Sequence, residues 1–152
     1  MYSYISHPNP QQLDRLGEID AQCFAYPLSK WQPYREQIGD DNFRLIVQEE
    51  QAIAGLAMYH QGQWFGGKSV SMAGIASVAV APECRGQGIA NLLLKQTLQE
   101  LHSQQIALSA LYPATQIPYR QVGYEQGGEL LSMEITYSSY SATGNKLRYF
   151  EN

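Results

Sequence analysis

Cysteine is scarce in this chain of 152 residues: Cys23 and Cys84 stand far apart and match no CxxC spacing. That excludes a zinc ribbon, a dithiol redox motif and a disulfide framework, and leaves two free thiols in a reducing, cytoplasmic setting as the expectation. The three histidines, His7, His60 and His102, keep no ligand spacing with each other or with the cysteines, so no metal is expected. There is no basic excess; the net charge is −4, and nothing in it points to nucleic acid. An acidic balance suits a cationic acceptor, and ordinary surface solvation accounts for it equally well. No run approaches the ~20 apolar residues that cross a bilayer, and Met1-Tyr-Ser-Tyr-Ile5 has neither the basic nor the apolar region of a signal peptide. G-x-S-x-G is missing, and no Ser-His-Asp set follows from spacing. What is present is an ordinary composition, 44% hydrophobic, at the length of one domain. A chain of this size buries roughly two-thirds of the surface it exposes when unfolded.

Local signals divide the chain into elements. Tyr2–Ser6 alternates weakly and predicts an edge strand. Asn9-Pro10 starts a helix carrying Leu13, Leu16, Ile19, Ala21 and Phe24, and Pro27 ends it. A second helix is expected from Ser29, as cap, to Ile38, closed by Gly39. Phe43–Gln48, Gln51–His60 and Lys68–Val80 read as consecutive strands with short turns, hence antiparallel. Pro82–Gly88 interrupts the strand pattern before a strong helix over Ile89–Leu101 and a short strand over Ile106–Leu111. A strand-helix-strand unit of that size implies parallel pairing. Pro113–Val122 predicts a short helix, and Tyr124–Tyr137 with Lys146–Phe150 a closing hairpin. The fold class is α/β (α+β): a mixed, mostly antiparallel central sheet with helices on its faces.

Chemistry concentrates in one segment, Val78-Ala-Val80 followed by Ala-Pro-Glu-Cys and Arg85-Gly-Gln-Gly-Ile-Ala90. A strand runs through a glycine-containing turn straight into a helix. The first turn of any helix offers backbone N–H groups without intrahelical partners, and the helix dipole adds positive character there. Gly86 and Gly88 remove side chains that would keep a phosphate from the backbone. Arg85 adds a charge suited to phosphate oxygens. These features predict a phosphate or pyrophosphate site at Gln87–Ala90, and an ordinary loop with a helix start fits the same residues. The spacing is neither GxGxxG nor a P-loop.

Arg85-Gly-Gln-Gly-Ile-Ala90 resembles the R/Q-x-x-G-x-G/A motif of the Gcn5-related N-acetyltransferases (GNAT). Val78–Glu83 looks like that family's cofactor-pairing strand and the turn after it, and Tyr119-Arg-Gln-Val-Gly-Tyr124 looks like its Y-x-x-x-G-F/Y segment. Trp64-Phe-Gly-Gly67, Ser71–Val78 and Ser109–Thr115 are similar to the amino-terminal domain of the Eis (enhanced intracellular survival) group. Two features depart from that pattern. Cys84 stands where an aromatic is common, and Eis-like proteins carry two further domains whereas this sequence stops at Asn152.

The resemblance implies the acyl-CoA N-acyltransferase fold, acetyl-CoA as cosubstrate and a primary amine of a small molecule, such as an aminoglycoside or polyamine, or of a peptide as acceptor. A coenzyme A-binding module without turnover is the alternative. It implies that pantetheine pairs with the backbone of Val78, Ala79 and Val80. Arg85, Gly86, Gln87, Gly88, Ile89 and Ala90 would hold the pyrophosphate, with Pro113 and Ala114 near the thioester. Tyr119 would protonate the leaving thiolate, and Tyr124 would pack. Phe24, Tyr26 and Trp31 fall where the family builds its acceptor pocket, and a core role suits them as readily. Eis-like proteins place their base at the end of the full-length chain, so no base is assigned here. A homo-oligomer follows from the likeness alone.

Overall fold

The computed structural model describes residues 1–128. Tyr124–Gly128 is irregular, and the rest of the expected closing hairpin lies outside the described residues. The elements are β1 (Tyr2–Ile5), α1 (Pro10–Phe24), α2 (Trp31–Ile38), β2 (Phe43–Gln48), β3 (Gln51–Phe65), β4 (Lys68–Val80), α3 (Ile89–Ser103), β5 (Leu108–Leu111) and α4 (Ile117–Arg120). The strands form one sheet in chain order, antiparallel from β1 to β4, with β5 parallel to β4.

Local chemistry accounts for the first helix. Asn9 Oδ1 accepts from the Gln12 N–H at 2.9 Å and Gln12 Oε1 accepts from the Asn9 N–H at 3.0 Å, a reciprocal capping box, with Pro10 in the first turn. The helix stops because Ala25 takes a left-handed conformation at φ 54, two residues before Pro27. Its buried stripe is Leu13, Leu16, Gly17, Ile19 and Asp20. Phe24, expected on that stripe, is 48% exposed, because the helix ends there. Ser29 does not cap α2. It lies inside a 3₁₀ turn, Leu28–Lys30, that feeds directly into the helix, while Gly39 closes it as expected.

Alternation along β2 sends side chains to both faces of the sheet. Phe43, Leu45 and Val47 pack with Leu13, Leu16, Trp31 and Ile38 from α1 and α2, whereas Ile46 packs with Leu93, Leu94 and Leu101 from α3. Each fully buried leucine contributes about 1.5–3 kcal/mol. Arg44 faces α3 as well, and its guanidinium binds Glu100 through Nε at 2.8 Å and Nη2 at 2.6 Å. Tyr4 of β1 donates to the same carboxylate at 2.6 Å, so one buried ion pair ties β1, β2 and α3 together.

β3 runs five residues past its expected end at His60, because cross-strand pairing with β4 continues from His60↔Ala73 to Phe65↔Lys68. At the other end of β4 the register slips between Gly55 and Ala57 of β3, and Ser77 opposite takes φ 49: a β-bulge. β5 pairs only with Met72–Ile75. Beyond Ile75, therefore, the outer edge of β4 has no strand beside it among the described residues.

Candidate functional site

Which backbone groups this open edge presents follows from alternation. The Ala81 N–H donates to Ile53 O on the β3 side at 2.8 Å, so the N–H and C=O of Val80 face the opposite, open side. Val80 O accepts there from Arg85 Nε at 3.3 Å and from the Cys23 thiol at 3.4 Å. The chain then passes through a 3₁₀ turn, Pro82–Cys84, in which Cys84 is buried. Gly86 and Gly88 both have φ 77, a conformation that L side chains rarely adopt. A Cβ at either position would meet no protein atom within 4 Å, so the turn is open on that side.

Gly88 is the N-cap of α3, and among the described residues no side chain caps the helix or places a carboxylate in its first turn. The 15-residue helix thus points its N–H groups from Ile89 to Asn91 outward, with the positive end of its dipole. A cleft of ≈ 220 Å³ joins Val80, Gly86, Gly88 and Ala90 to Ile117 of α4 and to Gln121, the residue after it. Asn91 Nδ2 donates to Gln121 Oε1 at 2.5 Å and holds α4 against the first turn of α3.

Two side chains of the turn make contacts back within the fold. Gln87 donates to Glu83 O at 3.2 Å and accepts from the Tyr2 hydroxyl at 3.0 Å, clipping the turn to β1. Arg85 reaches back along the chain, its Nη2 lying 3.1 Å from Cys23 Sγ, and it also lines the cleft. The backbone of Gln87–Ala90 stays on the open side of the turn.

Tyr119 sits on α4, half-buried against the core, with its ring edge-on to Tyr124 at 6.3 Å. Burial pushes its phenol up from the usual value, and no hydrogen bond to another described residue offsets this. Tyr124 shares a hydrogen bond with Ser109 of β5 at 2.5 Å. Pro113 and Ala114 are exposed in the loop after β5 and do not line the cleft.

Of the three aromatics near the first helices, Trp31 is 4% exposed and belongs to the core, 5.4 Å from the Phe43 ring and 5.9 Å from that of Tyr34. Trp31 thus takes the core role that suited it as readily as a pocket role: α2 starts at Trp31 and turns the indole inward against Gly17. Phe24 projects outward. Tyr26 is half-buried, and its hydroxyl donates to Asp20 Oδ2 at 2.5 Å. Asp20 itself escaped the sequence reading. It is 2% exposed, and burial raises its carboxyl above the usual range while the Tyr26 and Ser77 hydroxyls pull it back. A signal was there to find it: positions 13, 16, 17 and 20 repeat at helical spacing, and three of those four residues are apolar or glycine.

Comparison with known proteins adds to this geometry. Residues 5–127 match the family model described as an acetyltransferase (GNAT) domain. None of the curated proteins matches the chain. A GCN5-related N-acetyltransferase of known structure from Anabaena variabilis is 45% identical, with a TM-score of 0.80 over 84% of this chain and 33% of that one. Another from Kribbella flavida is 34% identical, with a TM-score of 0.73 over 84% of this chain and 34% of that one. The chain thus spans about a third of the length of either. Eis1 from Mycobacterium abscessus shares the fold at 17% identity, with a TM-score of 0.69 over 82% of this chain and 31% of that one.

Proposed function

The chain belongs to the GNAT acetyltransferase family, and from that premise we propose that it is an N-acetyltransferase moving acetyl from acetyl-CoA to a primary amine. The observation that carries the reading is the continuity of the free β4 edge at Val78–Val80 with the uncapped start of α3. An extended chain of amides ending in a pyrophosphate matches that continuity: strand-like pairing along the edge, then N–H groups at Gln87–Ala90. The open side of Gly86 and Gly88 leaves room for phosphate oxygens to reach the backbone.

Acetyl-CoA supplies a thioester whose carbonyl a neutral amine attacks. The role of Tyr119 is to hold a proton for the departing sulfur. A phenol raised above its ordinary value of about 10 is protonated at neutral pH, and a thiol of pKa about 8.5 is a competent receiver. The acceptor class rests on less. A small cationic amine of the aminoglycoside or polyamine kind is the choice consistent with the Eis likeness and the net charge of −4.

The test is thiol release with a panel of amines, comparing wild type with Tyr119→Phe, alongside calorimetry with coenzyme A. Equal turnover in both proteins removes Tyr119 from the chemistry. A second reading is a coenzyme A-binding module with little or no turnover, because the β4 edge and the start of α3 account for cofactor binding alone. Binding without turnover for any amine supports it, and no binding at all overturns both.

A further inference from the structure

Asp20 is the buried charge that the cofactor cleft leaves unexplained. Among the described residues its Oδ1 reaches no hydrogen-bond partner and no Lys, Arg or His forms a salt bridge with it, and the residue is 2% exposed. Hydroxyls surround it instead. Tyr26, from the segment after α1, donates to Oδ2 at 2.5 Å, and Ser77, from the β4 bulge, lies beside the carboxylate. Ser77 also donates to Tyr34 of α2 at 3.0 Å, and Tyr59 of β3 stands beyond Tyr34. Burying a carboxylate without a cation is unfavourable by several kcal/mol. Half-satisfied buried carboxylates of this kind are kept where chemistry uses them.

Position adds to chemistry. Cys23, one turn after Asp20 on α1, donates to Val80 O, so α1 lies across the end of β4. Ser77 is the bulge residue that precedes Val78. The carboxylate therefore stands over the stretch of β4 whose open edge the acetyl-transfer reading uses.

We propose that Asp20 terminates a proton relay that runs from the acceptor amine through the Tyr26 hydroxyl; this rests on the acetyl-transfer reading above. An alkylammonium with pKa near 10 must lose a proton before it attacks. It passes that proton to the Tyr26 oxygen while Tyr26 passes its own to Asp20 Oδ2. The neutral amine forms the C–N bond at the thioester carbonyl, the C–S bond breaks, and the thiolate takes the Tyr119 proton. The second proton lost by the nitrogen restores Tyr119 through water, and Asp20 releases its proton to solvent. One amide, one thiol and one proton result. Asp20 does not touch the amine; it acts through Tyr26. Burial lifts the carboxyl toward the working range of a base.

The test is the pH–rate profile of amine-dependent thiol release from about pH 5.5 to 10 for wild type, Asp20→Asn and Tyr26→Phe, with coenzyme A affinity measured on each. The other titratable groups around Asp20 are Tyr26 and Tyr34, whose phenols burial pushes above their ordinary value, and Tyr59 beyond Tyr34, so the lower limb of the profile reports the carboxylate. Both variants are expected to lose about 100-fold at pH 7, to recover as pH approaches the amine's own pKa, and to bind coenzyme A as wild type does. Unchanged profiles, or a loss constant across pH, overturn the relay. Wild type that turns over no amine overturns the acetyl-transfer reading and the relay with it. Should Asp20→Asn fail to fold, Tyr26→Phe, at a half-buried position, decides alone.

Discussion

Gly88 stands at φ 77 and ψ 8 immediately before α3, with empty space where a side chain would go. Replacing it with alanine separates two effects that usually arrive together. The left-handed backbone makes the change unfavourable by about 1–2 kcal/mol. At this chain length each kcal/mol lowers the melting temperature by roughly 2–4 °C. No clash adds to that, because a Cβ meets nothing within 4 Å. On the proposed reading the same methyl would stand where a phosphate approaches the backbone. Loss of one charge-assisted hydrogen bond is worth about 1.5–3 kcal/mol, or roughly ten- to 150-fold in affinity. The assay is calorimetry of wild type and Gly88→Ala with coenzyme A and with pantetheine, which has no pyrophosphate, plus a thermal melt. The expected outcome is a small drop in melting temperature, a large loss for coenzyme A and little for pantetheine. An equal loss for both ligands, or an unchanged affinity for coenzyme A, refutes the reasoning.

Other perturbations test the rest. Tyr119→Phe should lower kcat for thiol release about 100-fold without weakening coenzyme A binding; since burial raises the phenol, wild type should keep its acid form past pH 10. Arg44→Ala leaves the half-buried Glu100 without its cation and should destabilise by about 1.5–3 kcal/mol, read by denaturant unfolding. Burial raises the Glu100 carboxyl, but hydrogen bonds from Arg44 and Tyr4 outweigh it and hold it below the usual range. The sign follows: the stabilisation is present above the unfolded carboxyl's pKa of about 4.3 and disappears as pH falls through the lower folded value, so Glu100→Gln should flatten the melting temperature between pH 5 and 3. Gly17→Ala puts a Cβ 2.4 Å from the Trp31 ring and should cost about 1–3 kcal/mol by calorimetric melting, with the indole displaced.

Several elements were legible in the residues because their determinants are local. Asn9, Pro10 and Gln12 cap α1 with atoms three residues apart. Glu49-Glu50 and Gly66-Gly67 make two-residue turns, so β2, β3 and β4 had to meander. Ser29 misled because a hydroxyl before an apolar run signals a cap only if the helix starts beside it, and here a 3₁₀ turn intervenes. Phe24 matched the helical period, yet period says nothing about where the helix leaves its neighbours. The excess length of β3 came from β4, its partner, and not from its own residues.

From its sequence alone this protein's element order, its mostly antiparallel sheet and the glycine turn before α3 were determined, since capping, turn chemistry and hydrophobic period act within a few residues. Tertiary structure alone decided which edge of that sheet stays open, because a bulge at Ser77 and the short reach of β5 depend on strands distant in sequence. It also decided that Arg85 turns back to Val80 and that Asp20 meets Tyr26 and Ser77 inside the fold. Burial and partnership are properties of packed surfaces, and no single segment carries them.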